Sequence, residues 1–429
     1  MSDFFQNGVI TTLHDLKTRT VEDMEAELVR FSRERPMALV LPSLFSELEG
    51  PALSNIVDEL AKVPYLSQIV IGLDRADAAQ YEHAVRYFSR LPQHHRILWN
   101  DGPRLQAVDA TLAERGLAPM ELGKGRNVWY CFGYIQASGV AEAVALHDCD
   151  ILTYDRGMLA KLFYPVVNPL FQYDFCKGFY PRVANGTLNG RVCRLLVTPL
   201  IRALREVIGP NDYLDYMDSF RYALAGEFSM RTEVLRDLRI PSDWGLEIGV
   251  LSEVNRNYGV QRICQVELTD NYDHKHQPLS EDDAASGLSR MSTDIVKAVL
   301  RKLATTGVVF SMGNIRTLKA TYYRMALDFV QAYYNDAMIN GLQQDRDKEE
   351  RAVELFAANI LAAGDVFLDK PLETPFIPSW NRVRSAIPDV FDKLSAAVAQ
   401  DYLEARNGVL GPDRDGIPGR AGSAAAKSA

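Results

Sequence analysis

The sequence predicts an α/β protein built on a parallel, doubly wound sheet. Three observations carry this. Short apolar runs alternate with amphipathic helical stretches over about the first 150 residues. Turn residues bound the runs. Polar residues stand where the runs end, at Pro42-Ser43, at Asp74 and at Asp148-Cys149-Asp150. Strands that alternate with helices form parallel sheets, and such sheets bind ligands at the carboxyl ends of their strands. A nucleotide site is therefore expected at those three positions.

The elements follow in order. Residues 18–35 carry Glu22, Glu25, Glu27, Arg30 and Arg33, with Val21, Met24, Leu28 and Phe31 at helical spacing. Residues 37–41 form a buried strand, entered at Pro36 and closed at Pro42. A helix at 51–63, a strand at 68–73, a helix at 77–90 and a strand at 95–99 come next. Helices at 104–116 and 126–140 lead into the run 141–146, which ends in the acidic turn. Residues 151–280 are mixed, with many aromatics, several arginines and the loop pairs Asn185-Gly186 and Asn189-Gly190. From 281 to about 407 the pattern is helical, as at Tyr322, Met325, Ala326, Phe329 and Tyr333. Residues 411–429 hold Gly, Pro, Ala, Ser and isolated charges, and are expected to form a disordered tail. The chain thus divides into an N-terminal helical segment (1–35), a strand–helix half (36–150), a mixed half (151–280), a helical region (281–410) and the tail.

Composition excludes several classes. The 429 residues are 47% apolar with a net charge of −9, so no general basic excess for nucleic acid exists. Five cysteines, an odd number without a CxxC pair, argue against a disulfide framework or a structural zinc. No signal-peptide pattern and no membrane-length apolar run occur. A cytoplasmic protein is expected.

Four groups could carry chemistry. Asp148-Cys149-Asp150 at a strand end offers hard oxygen ligands for Mg²⁺ or Mn²⁺, which commonly bridge carboxylate and diphosphate; a solvated acidic turn is the plainer alternative. Gly123-Lys124-Gly125-Arg126-Asn127 precedes a helix and suits phosphate, although it is not a Walker A motif. Asp273-His274-Lys275-His276 follows the strand expected at 263–268 and can complete a metal site or form a surface loop. Lys177, Arg182, Arg191 and Arg194 form a basic cluster for carboxylate or phosphate, or a set of ion-pair partners. No Ser-His-Asp or Cys-His arrangement is legible. Cys149, between two acids, is a poor nucleophile.

Taken in order, these segments resemble the retaining glycosyltransferases of family 81, the glucosyl-3-phosphoglycerate and mannosylglycerate-type synthases. The resemblance spans about residues 38–279 and rests on Leu41-Pro42-Ser43-Leu44 with Glu47, Gly123-Lys124-Gly125, Asp148-Cys149-Asp150, Asn189-Gly190-Arg191-Val192, Gly245-Leu246-Glu247-Ile248-Gly249, and His274 before Pro278-Leu279. It implies a GT-A fold: a Rossmann-like nucleotide-sugar-binding half (36–150), an acceptor-binding half (151–280) and a helical C-terminal extension (281–410) used for homodimerisation. It implies metal-dependent, retaining transfer of glucose from a nucleotide-glucose such as UDP-glucose to 3-phosphoglycerate. Pro42, Ser43, Leu44, Glu47 and Asp74 would serve the donor, together with Lys124, Asp148 and Glu247. Asp148, Asp150 and His274 would hold Mg²⁺ or Mn²⁺. Gly190, Arg191, Val192, Lys177 and His276 would serve the acceptor. Asp150, Glu247 and Lys124 would be the catalytic groups.

Three departures fall on the acceptor and diphosphate side: Cys193 where a Thr is expected, Tyr272 where a basic residue is expected, and His276 in place of Asn. They leave open a GDP-sugar donor and a free glycerate acceptor. A non-catalytic nucleotide-sugar-binding protein would not need the two acids and His274 together. A nucleotidyltransferase would carry glycine near its first strand, and residues 41–49 contain none.

Overall fold

The structure is a computed structural model that describes residues 6, 8–241, 245–274, 287–371 and 376–408. Its centre is an eight-stranded sheet. In chain order the strands are β1 (Thr11–Leu13), β2 (Met37–Leu44), β3 (Leu66–Asp74), β4 (His95–Trp99), β5 (Ala143–Leu146), β6 (Phe175–Phe179), β7 (Phe228–Arg231) and β8 (Ile263–Glu267). In space they run β1-β8-β6-β7-β5-β2-β3-β4. Seven strands are parallel to one another. β7 lies between β5 and β6 and is antiparallel to both.

Alternate residues of β2 enter different layers. Ala38 and Val40 pack with Val70 and Leu98 on one face. Met37, Leu39 and Leu41 pack with Ile69, Ile71 and Ile97 on the other. Both faces are covered, which is why these strands read as continuous apolar runs. The helices Pro51–Leu60, Ala78–Phe88, Pro103–Ala113 and Lys124–Ser138 lie within a few residues of their expected positions. Their ends are set by capping: Asp77 caps Ala78–Phe88 and exchanges bonds with Gln80 in a capping box.

Two features depart from the sequence reading. The N-terminal stretch contributes β1 as an edge strand on β8 as well as the helix Val21–Phe31; three residues are too few to show a period. β7 breaks the all-parallel expectation, because its four residues, Phe-Ser-Met-Arg, sit in an aromatic-rich region with no turn signal of the hairpin type.

The C-terminal helices pack against the same chain. Helix Met312–Ile339 lies on Thr198–Ile208 and on Arg346–Asp369, burying Tyr322, Ala326 and Val330. Trp380 stacks on Trp129 at 4.0 Å, and each indole N–H donates to a backbone carbonyl across the contact. Helix Val390–Arg406 covers Lys124–Ser138. No helix among the described residues is long and apolar enough to cross a membrane. The predicted tail, together with Lys275, His276, Pro278 and Leu279, lies outside the described residues.

Candidate active site

The polar ends of β2, β3 and β5 do converge. β5 ends at Leu146, and the following turn presents Asp148 and Asp150. Ile151 then forms an antiparallel bridge with His274, reinforced by Leu152 N–H donating to Asp273 O at 2.9 Å. Two segments 123 residues apart are thereby clamped, and the ligand atoms of Asp148, Asp150 and His274 lie within 4.8 Å of one another. His274 Nδ1 is 3.7 Å from Asp150 Oδ1. That Asp150 oxygen is buried and makes no hydrogen bond among the described residues. A buried carboxylate oxygen in that state asks for a cation, and two carboxylates with one imidazole suit Mg²⁺ or Mn²⁺. Asp148 fits its place because residue 226 is glycine: a Cβ there would lie 2.5 Å from Asp148 Oδ2.

Lys124 opens the helix Lys124–Ser138 and points at the same cluster. Its Nζ is 2.6 Å from Asp148 Oδ1 and 3.2 Å from Glu247 Oε1. Burial works against the ammonium, but Asp148 and Glu247 outweigh it and hold Lys124 well above the usual lysine range. Burial would raise Asp148, but Lys124 carries it below the usual carboxylate range. Glu247 is in the first turn of helix Leu246–Asn257. Asp148, Lys124 and Glu247 are thus one unit.

Where the donor is expected, Pro42, Ser43 and Leu44 are the last residues of β2, and Glu47 stands in the 3₁₀ turn Phe45–Glu49 beyond them. Ser43 bonds the Cys149 thiol, tying this end to the acidic turn. Burial, then Asp148 and Asp150, push that thiol well above its usual range, as expected for an unreactive cysteine. Asp74 closes β3, is raised by burial and accepts from Asn100 Nδ2 at 2.7 Å.

Where the acceptor is expected, the basic cluster divides. Gly190 takes φ +75°, which only glycine adopts at little cost, and turns the chain from the 183–188 hairpin toward Arg191 and Val192. Arg194 is buried and engages Glu349 through two nitrogens at 2.6 and 3.1 Å. It is a structural ion pair and not part of an anion pocket. Arg191 Nε is 3.9 Å from the same carboxylate and makes no hydrogen bond among the described residues. Arg182 donates to the Tyr222 hydroxyl at 3.3 Å. Lys177 is 1% exposed, bonds the Ala225 carbonyl and is pushed down to about 8 by burial.

Sequence reasoning missed the piece that joins the two sides. Tyr222 lies 5.3 Å from Tyr180, Tyr180 stacks on Tyr272 at 3.6 Å, and Tyr272 meets the His274 ring edge-on at 5.5 Å. Beneath this ladder Glu227 is buried and accepts from the hydroxyls of Tyr180 and Tyr272. Burial and the Asp148 charge lift Glu227 above the usual carboxylate range. The departure at Tyr272 has this physical sense: the ring braces His274 and its hydroxyl satisfies Glu227.

No family model matches the chain. Two curated relatives match nearly all of it. The glucosyl-3-phosphoglycerate synthase of Persephonella marina is 45% identical over 401 residues, 94% of this chain and 99% of that one. The chain belongs to the glucosyl-3-phosphoglycerate synthase family. The synthase of the same name from Methanococcoides burtonii is 38% identical over 409 residues, covering 94% and 98%. Among solved structures, glucosyl-3-phosphoglycerate synthase from Mycobacterium tuberculosis in complex with phosphoglyceric acid superposes with a TM-score of 0.50 at 22% identity, over 71% of this chain and 90% of that one. Mannosyl-3-phosphoglycerate synthase from Rubrobacter xylanophilus also gives 0.50 at 22%, over 66% and 80%. These two show the fold, which is the GT-A glycosyltransferase fold expected from the sequence.

Proposed function

We propose that this member of the glucosyl-3-phosphoglycerate synthase family transfers glucose from UDP-glucose to the hydroxyl of 3-phosphoglycerate, with retention at the anomeric carbon. The observation that carries the reading is the Asp148–Asp150–His274 cluster, built at the strand ends of a chain that matches synthases of that name along nearly its whole length. A divalent ion held by those three residues would neutralise charge growing on the leaving diphosphate. Lys124 adds a fixed positive charge at the same end, and its pairing with Asp148 and Glu247 keeps it protonated and aimed. Glu247 has a second carboxylate oxygen for donor sugar hydroxyls. Pro42, Ser43, Leu44 and Glu47 would flank the nucleoside.

Retention needs either a carboxylate nucleophile or a front-face transfer. The carboxylates nearest the site are engaged: Asp148 and Glu247 by Lys124, Glu227 by two tyrosines. A front-face transfer, in which the leaving phosphate oxygen takes the acceptor hydroxyl's proton, fits this arrangement. Purified protein with UDP-glucose, 3-phosphoglycerate and Mg²⁺ should yield an α-glucoside in the proton NMR spectrum. A β-linked product, or no transfer with UDP-, GDP-glucose or GDP-mannose, would overturn the assignment.

For the acceptor we place Arg191 on the phosphate or carboxylate, supported by its uncommitted Nε and the turn at Gly190. Arg191→Ala should raise KM for 3-phosphoglycerate roughly ten- to hundredfold, the equivalent of losing a charged hydrogen bond of about 1.5–3 kcal/mol. KM for the donor should stay within about a factor of two. An unchanged acceptor KM would mean the pocket lies elsewhere.

We also place a homodimer contact at the end of the helix Met312–Ile339, where Met338 and Ile339 are 58% and 85% exposed. Light scattering at micromolar protein should give twice the 48.1 kDa chain mass, and a monomer mass would refute it.

A further inference from the structure

β4 has its catalytic-side end at Trp99 and its other end at His95, about 13 Å away along the strand. At the His95 end, residues 91–96 and the helix Val390–Arg406 enclose a cavity of about 320 Å³, a volume suited to a small metabolite. His94, His95, Arg96 and Arg406 line it, and no acidic side chain does. The nearest carboxylates on that helix, Asp401 and Glu404, are both taken by Arg104 at 2.5 and 2.7 Å. Arg96 and Arg406 meet no carboxylate among the described residues.

The basic wall is held in place. The Arg96 guanidinium sits 4.9 Å over the Tyr402 ring and donates to the His95 carbonyl at 2.8 Å. His95 is buried, with Nδ1 2.9 Å from Gln93 O and Nε2 3.2 Å from the Tyr402 hydroxyl. Burial, then the Arg96 charge, lowers both histidines below their usual range, and Arg406 adds to this at His95. Two guanidinium charges, Arg96 and Arg406, gathered at one cavity without a counter-charge ask for an anion.

We propose that this cavity is a second binding site, distinct from the catalytic centre, for a phosphorylated metabolite. The phosphate would lie between Arg96 and Arg406 beside His94, and the rest of the volume would take the body of the metabolite, which inorganic phosphate leaves unfilled.

The test uses the full chain with ¹³C-labelled histidine and follows the ring signals of its seven histidines, assigned through His94→Gln and His95→Gln. Glucose 6-phosphate should shift His94 and His95 saturably. Inorganic phosphate should bind more weakly, and glucose should leave both signals in place. Arg96→Gln combined with Arg406→Gln should weaken binding by about tenfold or more while glucosyl transfer is unchanged. Because the readout is at His94 and His95, occupancy of the catalytic site, reported by His274, is separable. Unmoved His94 and His95, or shifts that survive in the double variant, would overturn the proposal. Equal affinity for inorganic phosphate would overturn the metabolite assignment.

Discussion

Asp150→Ala should lower turnover about 10²- to 10³-fold, the range for losing one group that stabilises developing charge, and should leave the metal-free protein as stable as the parent. Both halves follow from the same geometry. Asp150 is about a quarter exposed, and its buried oxygen bonds nothing among the described residues. Its removal therefore breaks no structural hydrogen bond, and it relieves the repulsion of Asp148 nearby. What is lost is one of three metal ligands. With Mn²⁺ added, the melting temperature of the parent should rise, because the ion binds only the folded state, and that of the variant should not. His274→Ala should behave alike, and chelation by EDTA should silence the parent. Full transfer in EDTA, or an Asp150→Ala enzyme at parental rate, would remove the metal from the reading.

The strand-end half of this site was legible because its residues lie at the ends of elements with strong periodicity. Asp74 and Asp148 follow apolar runs, and Lys124 opens a helix, so each could be placed from local pattern alone. His274 was legible as a candidate but not as a neighbour. Its bridge to Ile151 spans 123 residues, and nothing local signals such a pairing. The basic cluster was the weakest inference. Sequence proximity grouped Arg191 with Arg194, but successive turns of the chain send Arg194 to Glu349 on a helix 155 residues away. Glu227 escaped notice for a similar reason. A lone Glu between Gly226 and Phe228 reads as a surface charge, and only the fold brings two tyrosine hydroxyls onto it. Isolated polar residues buried by long-range packing carry no periodic signal, and those are the residues that tie the halves of this site together.

Lys124→Met should be the second large loss, about 10²-fold or more in kcat, with an altered dependence of stability on pH. In the parent, Lys124 holds Asp148 below its ordinary value despite burial. A carboxylate depressed in the folded state contributes stability that is full above its unfolded pKa, and is lost only as pH falls through the folded value. Between pH 5 and 7 the pair therefore adds stability that does not vary with pH. In the variant the largest opposing charge is gone and only the weaker effects of His274 and His147 remain against burial, so Asp148 should rise above the ordinary carboxylate value. The folded state then holds its proton more tightly than the unfolded one, so stability should fall as pH rises from 5 to 7. Melting temperatures of parent and variant in EDTA across that interval separate the two cases. Lys124 is 36% exposed at its side chain, so water screens the pair and the slope should be modest. Lys124→Arg separates charge from shape. It keeps the cation and should restore the flat profile, but the larger planar head cannot occupy the ammonium's place between Asp148 and Glu247 without displacing one of them. Turnover should then stay low while stability recovers. A Lys124→Met protein with parental kcat would show that this lysine serves the fold and not the transfer.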